Sequence, residues 1–130
     1  MVRLPVSLGA VGLALLALGC NTGPDEVACT ENLAYGLTVR VTDSVTGVPA
    51  GRLATVVAQE GAYQETLLFM GDLGVADSLT FFGAAERAGT YQISVSKAGY
   101  QTWTRGGLAV LADVCHVQGI TVDAKLQPAH

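Results

Sequence analysis

The sequence predicts an all-β chain, folded as an antiparallel β-sandwich of about seven strands. Three observations carry this. From residue 35 onward, apolar residues recur at every second position, the period of a half-buried strand. Gly, Pro and Asp interrupt these runs at short intervals, as turns between strands do. No stretch beyond residue 20 sustains a helical period.

Residues 21–28, NTGPDEVA, are polar and broken by Gly23 and Pro24, a tether ahead of the fold. In YGLTVRVTD, Tyr35, Leu37, Val39 and Val41 face one way, and Gly36, Thr38, Arg40 and Thr42 the other. DSVTGVPAG supplies turn chemistry through Asp43, Gly47 and Pro49. A second strand is expected in RLATVVAQE and a third in AYQETLLFM, followed by an irregular GDLGVAD. In residues 78–88, SLTFF reads as strand and AAERA as a helical turn. GTYQISVSKAGY is the cleanest alternation, with Tyr91, Ile93 and Val95 inward and Gln92, Ser94 and Ser96 outward. YQTWTRGGLAVLAD follows, interrupted by Gly106 and Gly107. In the last strand, Cys115 and Val117 share one parity, and Ile120, Val122, Ala124 and Leu126 the other. A β-bulge at Gly119 accounts for the change of phase. It points Cys115 into the sandwich and His116 out of it.

The chain opens MVRLPVSLGAVGLALLALGC, with Arg3 ahead of sixteen uncharged residues, Leu4–Gly19. A spanning helix needs about twenty, whereas a secretory h-region is of this length. With Gly19 directly before Cys20, the segment resembles the bacterial lipoprotein signal, Ala17 standing where leucine is commoner. The resemblance implies cleavage before Cys20, acylation of that cysteine, and anchoring to a membrane. Asn21 in place of an inner-membrane retention aspartate favours the outer membrane. The expected organisation is a signal peptide over 1–19, a lipidated cysteine and tether over 20–33, and one domain over 34–127. Loss of the signal leaves eleven acidic residues against six basic ones, without basic clusters, which argues against nucleic acid as partner.

With Cys20 taken by lipid, two thiols remain. In an oxidising envelope the pair Cys29 and Cys115 reads as a disulfide.

Two segments carry a family pattern. LTVRVTDSVTGVPAGRLATVVAQ and AGTYQISVSKAGYQ resemble carboxypeptidase regulatory-like domains. The first matches their opening strand, Asp-to-Thr-Gly-x-Pro turn and second strand. The second matches Gly-x-Tyr-x-Ile-x-Val with a following Gly-Tyr, here Gly89, Tyr91, Ile93, Val95, Gly99 and Tyr100. The resemblance spans residues 35–126, departing at AAERAGT, where an Asp/Asn-Gly turn is usual. It implies a transthyretin-like β-sandwich serving as a non-catalytic accessory or interaction module, with no catalytic residues to carry over. One hydrolase of that fold ends in Tyr-Arg-Gly-Ser; this chain ends AKLQPAH.

Candidate sites are few. Asp113, Cys115 and His116 are too few for a structural zinc, and the other histidine is the terminal His130. A Cys–His nucleophile needs a free thiol on the same side as the imidazole, which strand alternation opposes, so an enzyme centred on His116 is the weakest reading. Asp72 and Asp77 match no calcium-loop spacing. The aromatic residues Tyr100 and Trp103, with Tyr63 as a third, are candidates for stacking on a sugar ring, and Arg105 shares a strand face with Trp103. Core packing is the competing role for Trp103. The sequence thus points to a lipid-anchored, non-enzymatic binding or structural module of the cell envelope, needing no cofactor or metal. Its partners would be the membrane and an envelope protein or glycan, with a Trp103 carbohydrate module as the alternative.

Overall fold

The computed structural model describes residues 26–70 and 80–130. The leader, Cys20, Asp72 and Asp77 lie outside the described residues. Nine strands and no helix occur among the described residues, arranged in two sheets. One sheet has the order β4 (Leu68–Met70), β5 (Thr80–Ala85), β1 (Tyr35–Asp43), β9 (Ile120–Leu126). The other runs β3 (Tyr63–Thr66), β2 (Thr55–Glu60), β6 (Gly89–Ser96), β7 (Trp103–Ala112), β8 (Val117–Gln118). The inner faces meet in one core: Leu37, Val39 and Val41 of β1, Val122, Ala124 and Leu126 of β9, and Val56, Ala58, Tyr91, Ile93 and Val95 opposite. No polar or charged residue is buried among the described residues. The alternation read for β6 therefore holds, as does that of β1 from Leu37 to Val41, because a two-residue period is what lets one strand face be apolar and the other wet. At the start of β1 it does not: Gly36 is buried with its Cβ direction toward Val110, and Tyr35 packs on Phe82 outside the core.

Several boundaries differ from expectation, each for a tertiary reason. Nine strands lie among the described residues rather than the expected seven, because two expected strands divide. AYQETLLFM breaks at Leu67, whose N–H still donates to Val56 O at 2.8 Å. β3 then pairs with β2 in one sheet and β4 with β5 in the other. The final strand divides at Gly119: β8 pairs with β7, and β9 crosses to the other sheet to pair with β1. The change of side-chain parity is thus a switch of sheet, not a bulge in one strand. A Cβ at Gly119 would lie 2.6 Å from the carbonyl oxygen of Tyr35, so only glycine fits the crossing. The β1–β9 pair is also parallel, Leu37 opposite Ile120 through Asp43 opposite Leu126, so the sandwich is not wholly antiparallel.

The second strand begins only at Thr55, and Leu53 ahead of it is exposed at φ 60°. AAERA forms no helical turn: Ala84 and Ala85 finish β5, with Ala84 at φ 50° and Glu86 at φ 48°. The interruption at Gly106 and Gly107 is a bulge in β7. Tyr91 stands opposite Leu108 but Ile93 opposite Arg105, one extra residue on β7, and Gly107 takes φ 68°. Finally, residues 114–116 form a bend, so strand parity does not orient them. Cys115 does not point into the core and His116 is not a solvent-facing strand residue; both are half-buried on that bend.

Candidate functional site

The chain enters the fold through residues 29–34, and the polar contacts of His116 lie there. Cys29 and Cys115 form a disulfide with Cα atoms 5.2 Å apart. The next residue on each side repeats the link. Thr30 Oγ1 is 3.0 Å from His116 Nε2, and His116 Nδ1 is 2.7 Å from Glu86 Oε1. With Glu86 ionised and the ring neutral, Nδ1–H donates to Glu86 and Nε2 accepts the threonine hydroxyl. Glu86 also accepts the N–H groups of Ala34 at 2.8 Å and Val117 at 3.4 Å. Those bonds, Ala34 first and the His116 ring next, hold its carboxyl below the usual glutamate value. The left-handed backbone at Glu86 costs roughly 1–2 kcal/mol. It is held by a reciprocal pair, since Glu86 N–H donates to Ala34 O at 2.9 Å while Ala34 N–H bonds the side chain.

Asp113 shapes the bend that carries the imidazole. Its Oδ1 accepts Cys115 N–H at 2.8 Å and His116 N–H at 2.9 Å, and Asp113 N–H donates to His116 O at 2.9 Å. The His116 and then the Cys115 N–H keep the Asp113 carboxyl below its ordinary value. Thr30, His116 and Glu86 have the connectivity of a nucleophile, a base and an orienting acid. An acyl-transfer centre also needs N–H donors aimed at a developing oxyanion. Here the Cys115 and His116 N–H groups are held by Asp113 and that of Val117 by Glu86. Each of these groups thus bonds the entering chain or the bend.

Residue 87, next to Glu86, anchors a second cluster. The Arg87 guanidinium lies 3.7 Å over the Tyr63 ring and donates to Glu60 Oε1 at 3.0 Å and Tyr91 Oη at 2.8 Å. The Tyr91 hydroxyl donates in turn to Arg87 O at 2.9 Å. Glu60 Oε2 accepts Thr90 N–H at 2.6 Å, in space left by Gly89, where a Cβ would fall 1.8 Å from that oxygen. Beside it, Gln59, Gly61, Thr90 and Gly107 help line a shallow depression of about 330 Å³.

The three aromatic candidates have different partners. Tyr100 turns its hydroxyl to Asp43, donating to Oδ2 at 2.8 Å, while Asp43 Oδ1 accepts Val45 and Thr46 N–H at 2.8 and 2.9 Å. The segments around Asp43 and Tyr100 thus meet physically at one end of the sandwich. Trp103 lies opposite Val95 and Arg105 opposite Ile93, so they do share a strand face. Trp103 is half-buried against the core, whereas Arg105 is exposed. Tyr63 is half-buried beneath Arg87, its hydroxyl donating to Glu65 Oε2 at 2.8 Å.

Sequence reading did not single out Thr30 or Glu86. Thr30 lies in the tether and Glu86 in a stretch read as helical, 86 and 30 residues from His116, and no local spacing connects them. Asp113 was visible beside Cys115 and His116, but as a metal-ligand candidate; it is a turn residue. Among the described residues no group of three or more His, Cys, Asp and Glu side chains could hold a metal ion. A comparison with known families finds no family model that matches the chain, and no curated protein matches it either.

Proposed function

We propose that the chain is a lipid-anchored, non-catalytic β-sandwich of the carboxypeptidase regulatory-like, transthyretin-like kind, acting as a binding or structural module of the cell envelope. The observation that carries this reading is the Cys29–Cys115 disulfide at the point where the tether joins the fold. A disulfide of this sort persists in exported proteins and is rare in the cytosol. Its location suits an anchored protein. A pull on Cys20 through residues 21–28 arrives at Cys29 and passes across the S–S bond to the bend before β8, so β1 is not peeled from its sheet. The Thr30–His116–Glu86 contacts and the Ala34–Glu86 pair reinforce the same junction. Fastened there, the sandwich presents its strand edges and far-end loops to partners.

The experiment is a labelling and fractionation series on the full chain. The chain should incorporate a palmitate analogue and sediment with membranes, Cys20→Ala should abolish both, and the envelope form should have no titratable thiol. Unlabelled protein in the cytosol with Cys29 and Cys115 reduced would refute the proposal. For the binding role, Trp103→Ala should leave partner capture from envelope extracts unchanged once its stability loss is allowed for. A glycan-dependent shift of Trp fluorescence, abolished by that substitution in a folded protein, would replace this reading with a carbohydrate-binding one.

A further inference from the structure

We propose that two copies of the chain associate through the open edge of β9, paired antiparallel about a two-fold axis at Ala124. The inference rests on the folded sandwich and is independent of where the protein resides. The outermost strands of the two sheets are β3, β4 and β8, of four, three and two residues, and β9, of seven. β9 is therefore the one edge strand among the described residues long enough to support an extended ladder. Within Ile120–Leu126 it carries neither proline nor bulge, two of the devices that blunt such an edge; a third, charge, is present in Asp123 and Lys125 and restricts the edge to a partner of complementary charge.

The main chain is set for the pairing. Leu126 O accepts Ser44 N–H at 2.8 Å on the β1 side. Alternation along a strand then turns the main-chain groups of Val122 and Ala124 toward β1 and those of Thr121, Asp123 and Lys125 toward the open edge. Beyond Lys125 the edge closes, because Gln127 O accepts Gln101 N–H at 2.8 Å. The available stretch is centred on Asp123 and Lys125.

Charge selects both occupant and register. The side chains of Thr121, Asp123 and Lys125 are all exposed on the outer face, while Val122, Ala124 and Leu126 are buried. With the axis at Ala124, Asp123 of each copy faces Lys125 of the other, so the favourable pair occurs twice. Moving the axis by one residue sets Asp123 against Asp123 or Lys125 against Lys125, directly opposed like charges. Arg40 on the neighbouring strand, 2.9 Å from Asp123 Oδ1, extends the row of alternating charge. On the inner face Val122, Ala124 and Leu126 are already buried within each copy, so the pairing is carried by the main chain and the outer-face charges.

The test is sedimentation velocity of the full chain in detergent over protein concentrations of about 1 μM to 1 mM. It compares the wild type, Asp123→Lys, Lys125→Asp and an equimolar mixture of the two variants. Both positions are exposed, and near-ultraviolet circular dichroism verifies that each variant is folded. The wild type should form a dimer, and each single reversal, acting twice by symmetry, should weaken it about tenfold or more. The mixture should recover the dimer, since both lysines of one variant then face the two aspartates of the other. Amide exchange at Asp123 and Lys125 should slow as the wild-type protein is concentrated. A wild type that stays monomeric throughout overturns the proposal. So do single reversals that dimerise as well as wild type, a mixture that fails to recover, or association without protection of those two amides.

Discussion

Removing the disulfide by Cys29→Ser with Cys115→Ser separates two sources of stability. The bond spans 86 residues. In the chain-entropy account, a loop of that length restricts the unfolded chain by roughly 4–5 kcal/mol at 25 °C. Little native packing is lost with it, because Cys29 and its neighbours from residue 26 to 33 are exposed. Most of the effect must therefore come from the unfolded state. For a domain of this size, a urea slope of roughly 1–2 kcal/mol per molar converts that figure to a midpoint lowered by about 2–5 M. That is a large part of the 5–15 kcal/mol or so that such domains have in total. The assay is equilibrium urea unfolding followed by Trp103 fluorescence. Thr30→Val serves as the comparator, since it keeps the S–S bond and removes only the exposed contact to His116, about 1 kcal/mol or less. A double variant with a midpoint within roughly 0.5 M of wild type would contradict the unfolded-state account. So would a Thr30→Val effect as large as that of the double variant.

Three further outcomes follow from the geometry. Tyr91→Phe keeps a fully buried ring but removes a hydroxyl that both donates to Arg87 O and accepts from its guanidinium, so urea midpoints should report a loss of about 1–2 kcal/mol. Gly119→Ala sets a methyl 2.6 Å from Tyr35 O at the sheet switch, and should cost roughly 1–3 kcal/mol with faster amide exchange in β8 and β9. Asp43, Asp113 and Glu86 are all held below their ordinary values by N–H and side-chain donors. Their contribution is complete above the unfolded carboxyl range near pH 4 and is lost as the pH falls through the folded values beneath it. Unfolding midpoints should accordingly drop below about pH 4, and less steeply in Asp113→Asn, which keeps an acceptor for the bend without the titration.

Some of this was legible without coordinates. The faces of β6 and of β1 from Leu37 to Val41 follow from alternation alone, because a strand has a fixed two-residue period and burial selects one parity. The change of parity at Gly119 was equally visible, yet its meaning was not. A bulge and a switch of sheet leave the same trace in one strand, and they differ only in which neighbour each half bonds. AAERA shows the complementary failure. Its composition suits a helical turn, but the reciprocal bonds between Ala34 and Glu86 hold the chain in a left-handed conformation that helix propensity opposes.

The order of residues along the chain suffices for the all-β character and the inner faces of most of the principal strands, since each depends on local period, whereas the Cys29–Cys115 pairing followed from it only with Cys20 set aside for lipid. The parallel β1–β9 pair, the division into nine strands and the Thr30–His116–Glu86 fastening arise only in the folded molecule. These depend on which distant segments are brought within about 3 Å of one another. A hydrogen bond of that length is set by the positions of whole sheets, and nothing in the spacing of residues along the chain records it.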